Sequence, residues 1–158
     1  MKRNLVISFL FLVVMIAVMR WQGSALVTPQ SPKGIIDLEF AGTAERFFQL
    51  QLFWNIETVL QNIYLDFLLI VAYAWFFITA CKAVNNKWSN TFSGIALSAA
   101  AFDLLENFLM ILVLNGRFKP SVLQIVFYCA ALKFILAGMV VLYLLISLPS
   151  VFRRKTSH

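Results

Sequence analysis

The chain has 158 residues, 61% of them hydrophobic and 13% charged, with a mean hydropathy of +0.85. A soluble domain runs nearer ~45–50% apolar and ~25% charged, so this composition excludes an ordinary water-soluble enzyme. The net charge of +6 sits in short clusters flanking apolar runs, which suits anionic headgroups and excludes a continuous nucleic-acid-binding face.

Met1, Lys2, Arg3 and Asn4 are followed by an uncharged run from Leu5 to Met19. Gly23, Ser24 and Ala25 are small enough for a signal-peptide cleavage position. Arg20 and Trp21 lie between the run and that position, where a charge is unusual, so an uncleaved first span is expected over about 4–21. Pro29, Pro32 and Gly34 break the chain after it, within an outer loop over about 22–57. There Ile36-Asp37-Leu38-Glu39-Phe40 alternates apolar and acidic residues. That period is strand-like, but a single short strand has nothing to pair with. A lid or extended segment lying on the bundle fits as well.

From Thr43, a good N-cap, the pattern turns helical and amphipathic. Phe47, Leu50, Phe53, Trp54 and Leu60 form one side, and Gln51, Asn55, Thr58 and Asn62 the other. This helix leads into a second span over about 63–81 that carries Asp66. Asn62, Asp66 and Tyr73 share its face at offsets of four and seven. A third span over about 92–114 carries Asp103, Glu106 and Asn107 and stops at Asn115-Gly116. Pro120 suits the first turn of a fourth span, over about 121–148, which carries Lys133 and is expected to stop at Pro149. The fold class is therefore all-α. It is a single domain over 1–158, a transmembrane four-helix bundle with an amphipathic helix or helical extension before the second span.

With four spans both termini lie on one side. Lys2, Arg3, Lys82, Lys87, Arg153, Arg154 and Lys155 fall there, against Arg20, Lys33, Arg46, Arg117 and Lys119 opposite. The bias places both termini in the cytoplasm.

Charges within the spans are costly, roughly 2.5–3.5 kcal/mol each on insertion scales. Asp103 and Lys133 fall at similar depth, about 16 and 18 Å from the outer ends of their helices at ~1.5 Å per residue, and are expected to pair. Glu106 and Asp66 are then left over toward the outer half, with Asn62, Asn107 and Tyr73 placed to orient them. Asp66, Asp103, Glu106, Asn107, Asn62, Tyr73 and Lys133 are accordingly the candidate ligand-binding residues. Ala99-Ala100-Ala101 and Gly94 read as close helix packing.

No catalytic set, metal site or cofactor is implied. The one histidine is His158 at the C-terminus, and there is no phosphate loop, nucleophile elbow or CxxC pair. Cys81 and Cys129 both lie within apolar spans, so neither a disulfide nor a thiolate metal site is expected.

Ser31-Pro32-Lys33-Gly34-Ile35 leading to Leu38-Glu39-Phe40-Ala41-Gly42-Thr43, then Leu65-Asp66-Phe67-Leu68, then Asp103-Leu104-Leu105-Glu106-Asn107, resembles a group of small, uncharacterised bacterial four-span membrane proteins. The resemblance covers most of the chain and implies topology and a bacterial inner-membrane home, but no activity. The expected partners are membrane lipids and a small cationic or amphiphilic molecule held by, or passing through, an acid-lined pocket. One alternative is a structural subunit whose polar residues set helix register against a membrane-protein partner or a second copy. The other is a lipid-modifying membrane enzyme.

Overall fold

The computed structural model describes residues 2–116 and 119–153, and side chains as far as Ser147. Among them are six α-helices: α1 (Lys2–Gly23), α2 (Ile35–Glu39), α3 (Ala44–Gln51), α4 (Ile56–Val84), α5 (Ser89–Leu114) and α6 (Pro120–Arg153). Four of these, α1, α4, α5 and α6, are long and apolar enough to cross a membrane, and the chain is an all-α integral membrane bundle.

The helix ends follow local chemistry. Thr43 caps α3 by accepting a hydrogen bond from the Arg46 amide at 3.3 Å. Asn55 caps α4 by accepting from the Glu57 amide at 2.8 Å. The amphipathic helix expected before the second span is α3, set off from α4 by a bend over residues 52–55. The bend turns Trp54 inward while Leu52 stays exposed. At the far end of α4, Asn85 takes a left-handed conformation, with φ +50°. Leu114 ends α5 where expected, and Gly116 adopts φ +70°.

Pro149 does not stop α6, which continues to Arg153. Proline removes one backbone donor but keeps a helical φ, and membrane helices tolerate that loss. The strand reading of residues 36–40 is also overturned. The segment is helix α2, started by the Lys33 amide donating to Asp37 Oδ2 at 2.9 Å. Helical spacing puts Ile35, Leu38 and Glu39 on one face, and Leu38 and Glu39 are buried. Gly34 before it sits at φ +61°, ψ −131°, a region open only to glycine.

The long helices pack in chain order, α1 on α4, α4 on α5 and α5 on α6. Helices α1 and α6, at the two ends of the row, make no comparably extensive contact. Two apolar clusters hold the bundle. At the loop end Leu26, Leu38, Phe47, Leu50 and Trp54 fill the space between Val59 and Ile63 of α4, Met110 and Val113 of α5, and Leu123 and Val126 of α6. At the other end Phe77, Cys81, Ala96, Val140 and Tyr143 pack together, with Phe92 stacked on Tyr143 at 4.0 Å. Between the clusters lies a polar layer.

Small side chains bring α5 close to its neighbours, but Gly94 is not one of them, since a Cβ there would meet nothing within 4 Å. Ala96, Ala99 and Ala100 are the buried ones, so methyl groups set the helix spacing.

A candidate ligand site in the polar layer

Asp103, Glu106 and Asn107 project from one face of α5 because offsets of three and four residues bring side chains together on a helix. All three are buried, and Glu106 has no exposed surface. Lys133 of α6 meets them, its Nζ lying 2.7 Å from Asp103 Oδ1 and 3.0 Å from Glu106 Oε2. A third carboxylate comes from outside the spans, for Glu39 Oε2 of α2 lies 3.3 Å from the same ammonium. Only Asp103 makes a hydrogen bond to it. Both Glu106 oxygens and Glu39 Oε2 are buried, and Glu106 and Glu39 meet Lys133 as ion pairs without a hydrogen bond of good geometry.

Helix α4 supplies the rest. Tyr73 donates to Asp103 Oδ2 at 3.0 Å, and Asn107 donates to Asp66 Oδ2 at 2.7 Å. The expected Lys133–Asp103 pair is therefore present, but it is one arm of a larger cluster. Glu106 is not left over for a ligand, because it touches Lys133. Asp66 does stand apart from Lys133 and is held by Asn107 alone among the described residues.

Asn62 does not join the layer. It donates to Gln22 Oε1, while Gln22 Nε2 donates to the Thr58 carbonyl at 2.8 Å, which clamps the end of α1 to the start of α4. Gly23 makes room for this, since a Cβ at that position would lie 3.2 Å from Asn62 Nδ2. A second clasp, between the Ser8 and Thr79 hydroxyls at 3.0 Å, ties the opposite half of α1 to α4.

Glu39 escaped the sequence reading. Its signal was present, in that it is the one charge among Leu38, Phe40 and Ala41 and shares a helical face with Ile35 and Leu38. What carries it to mid-bundle is the backbone of the loop, which folds back against α6. Phe40 packs edge-on to Phe127 at 5.4 Å and stacks on Phe134 at 6.0 Å. Irregular backbone at membrane depth is tolerated where protein covers it or where it lines a cavity. Burial pushes the Glu39 carboxyl above the ordinary carboxylate range, against the pull of Lys133.

The layer borders a cavity of about 390 Å³, and Glu39, Asp66, Tyr73, Asp103 and Lys133 form its polar side. Leu12, Ile16 and Met19 of α1 and Phe134 and Ala137 of α6 belong to its apolar wall. Glu106 and Asn107 lie behind this lining and act through Lys133 and Asp66. No protein-family model, curated protein or solved structure matches this chain. The chemistry of the layer thus rests on its own geometry.

That geometry is a surplus. Three carboxyl groups, Glu39, Asp103 and Glu106, meet one ammonium, and a fourth, Asp66, lies in the same layer without an ion pair of its own. A buried carboxylate without a counter-charge is too costly to keep, so the surplus is met by protons or by a further cation. Among the described residues, no three His, Cys, Asp or Glu side chains are grouped as metal ligands. The cavity lining also contains no serine or cysteine nucleophile. A carboxyl-rich, apolar-walled space of this kind is suited to holding a positively charged or hydrogen-bond-donating group.

Proposed function

We propose that this chain binds, or passes, a small cationic or amphiphilic molecule at the acid-lined cavity between α1, α4 and α6. The supporting observation is the excess of carboxyl groups over Lys133 around a space that a ligand can enter. A purely architectural layer is best served by matched charges and a packed, dry centre. Here Asp66 lines the cavity and makes no direct ion pair among the described residues, since the three carboxylates in contact with Lys133 are Glu39, Asp103 and Glu106. The absence of a nucleophile from the lining weighs against the lipid-modifying reading.

Propylamine serves as the probe, measured by equilibrium binding to the purified protein across a pH series. Replacing Asp66 with asparagine is expected to weaken binding on the order of tenfold, the worth of one charge-assisted hydrogen bond. Glu106→Gln, behind the lining, is expected to change it less. Unchanged affinity and pH dependence in both variants, with the fold intact, would make the carboxyl groups architectural and favour an assembly subunit.

The proposed setting is the bacterial inner membrane, with both termini cytoplasmic and the loop carrying α2 and α3 on the outer side. The Lys and Arg bias supports it, at seven against five. Ser31 is fully buried and a poor reporter, whereas Lys33 and Lys87 are exposed. A cysteine at position 33 is expected to react with an impermeant maleimide added outside intact cells, and one at position 87 only after permeabilisation. The reverse pattern would invert the topology. Cys81 and Cys129 are both buried, so the background is low.

A further inference from the structure

The acid cavity lies along a seam between α1 and α6. Along the same seam between α1 and α6 lies a second cavity of about 380 Å³, lined by Leu5, Val6 and Phe9 of α1, Phe76 and Ala80 of α4, and Leu144 of α6. Its walls continue those of the first by helical turns. On α1 the lining steps from Leu12 to Phe9 and Leu5, on α4 from Tyr73 and Phe77 to Ala80 and Val84, and on α6 from Ala137 to Leu144. One end of the seam is rich in carboxyl groups and the rest is apolar. From Lys133 to Leu144 it runs about 16 Å at ~1.5 Å per residue, close to the length of an extended dodecyl chain. Helices α1 and α6 are the outer members of the helix row and make no extensive contact with each other, which leaves the seam between them.

We propose that the seam holds a single-chain amphiphile with a primary or secondary amine head. The ammonium sits among Glu39, Asp66 and Asp103, and the alkyl chain lies between α1 and α6 past Phe9, Phe76 and Leu144. This rests on the cationic-ligand reading above and adds the chain, its location and the type of head. Charge complementarity selects the occupant, since four carboxyl groups repel a phosphate or carboxylate head. Hydrogen bonding selects the amine. Glu39 Oε2 is buried, borders the cavity and meets only the Lys133 ammonium, at 3.3 Å and without a well-formed hydrogen bond, so a head that brings both a positive charge and an N–H answers it best. A quaternary ammonium has none to give. The ligand enters sideways from the bilayer with its head against α2, and no aqueous path along the bundle axis is needed.

The test uses a dodecylamine carrying a diazirine at the chain end, photolysed with the full-length protein in phosphatidylcholine nanodiscs. Labelled positions are mapped by mass spectrometry. The expected result is labelling concentrated at residues 5–9, 76–84 and 144. Excess dodecylamine should reduce it at least tenfold, and dodecanol or dodecyltrimethylammonium should reduce it far less. Ala80→Phe, which fills the apolar cavity, should abolish this labelling while leaving propylamine affinity unchanged. Leu144→Trp, at the half-buried edge, provides the same block should Ala80→Phe fail to fold. Labelling scattered over the lipid-facing surface overturns the proposal, as does equal competition by dodecanol, which would mean a lipid groove indifferent to the head. If propylamine competes as strongly as dodecylamine, the amine site stands and the chain site falls. If neither competes and propylamine does not bind, both readings fall.

Discussion

Lys133→Met is expected to be the most damaging single change in the bundle, costing about 3–5 kcal/mol in detergent-induced unfolding. Its ammonium lies within 3.3 Å of Glu39, Asp103 and Glu106. Removing it leaves carboxyl groups that must take up protons or open the bundle to water. An ordinary polar contact between membrane helices contributes only about 0.6 kcal/mol, so the loss comes from stranded charge rather than from one missing bond. The double variant Lys133→Met with Asp103→Leu separates a pair from a cluster. In an isolated pair, deleting both partners restores most of the stability. Here Glu39 and Glu106 remain without their counter-charge, so recovery should be partial. Adding Glu39→Gln should recover more. Strictly additive losses across this series would show that the four groups do not act together.

Trp54→Ala should produce the second large effect, and a more local one. Trp54 is buried in the bend between α3 and α4. Its Nε1 donates to the Leu26 carbonyl at 2.9 Å and to Ser31 Oγ at 3.2 Å. The side chain thereby ties the bend to the start of the loop that carries Glu39. Truncation removes the packing and one of the two donors to the Leu26 carbonyl, which keeps the Ser31 hydroxyl at 2.8 Å, for a loss of about 3–5 kcal/mol that is mostly packing. Hydrogen exchange should rise first over residues 26–40, with α5 and α6 protected. Trp54→Phe, which keeps the ring packing and loses only the indole donor, should cost about 1–2 kcal/mol. Should α2 stay protected in Trp54→Ala, the indole is not what holds the loop.

The two predictions concern different kinds of information in the chain. Lys133, Asp103, Asp66 and Tyr73 were legible because a charge or hydroxyl inside an apolar helix announces itself, and helical periodicity tells which neighbours it has. Asn107 was legible for the same reason, and its bond to Asp66 follows from its place on the face of α5. Asn62 read identically and went elsewhere. Its partner Gln22 belongs to another helix, and no local pattern reports which of two polar side chains in reach will be satisfied first. Glu106 was read as spare because depth along a helix was known while the reach of Lys133 was not.

The bend at residues 52–55 was hidden as well. Both halves are amphipathic, and Asn55 serves equally as a polar helix residue or as an N-cap, so only packing of Trp54 against the loop chooses between them. Pro149 misled in the opposite direction, because a proline that ends a helix in water need not do so in a membrane bundle.

Local sequence was enough for the class, the four apolar helices, the cap of α3 at Thr43, the start of α6 at Pro120 and the charged layer midway along the bundle. Those are local properties, set by composition, by periodicity and by the cost of placing charge in hydrocarbon. Folding was needed to set α1 and α6 apart with a seam between them, and to bring Glu39 in from the loop as a third carboxylate on one lysine. Such features depend on which helix faces lie against each other over long separations in the chain. That choice comes from the summed fit of many weak contacts, and no single stretch of residues encodes it.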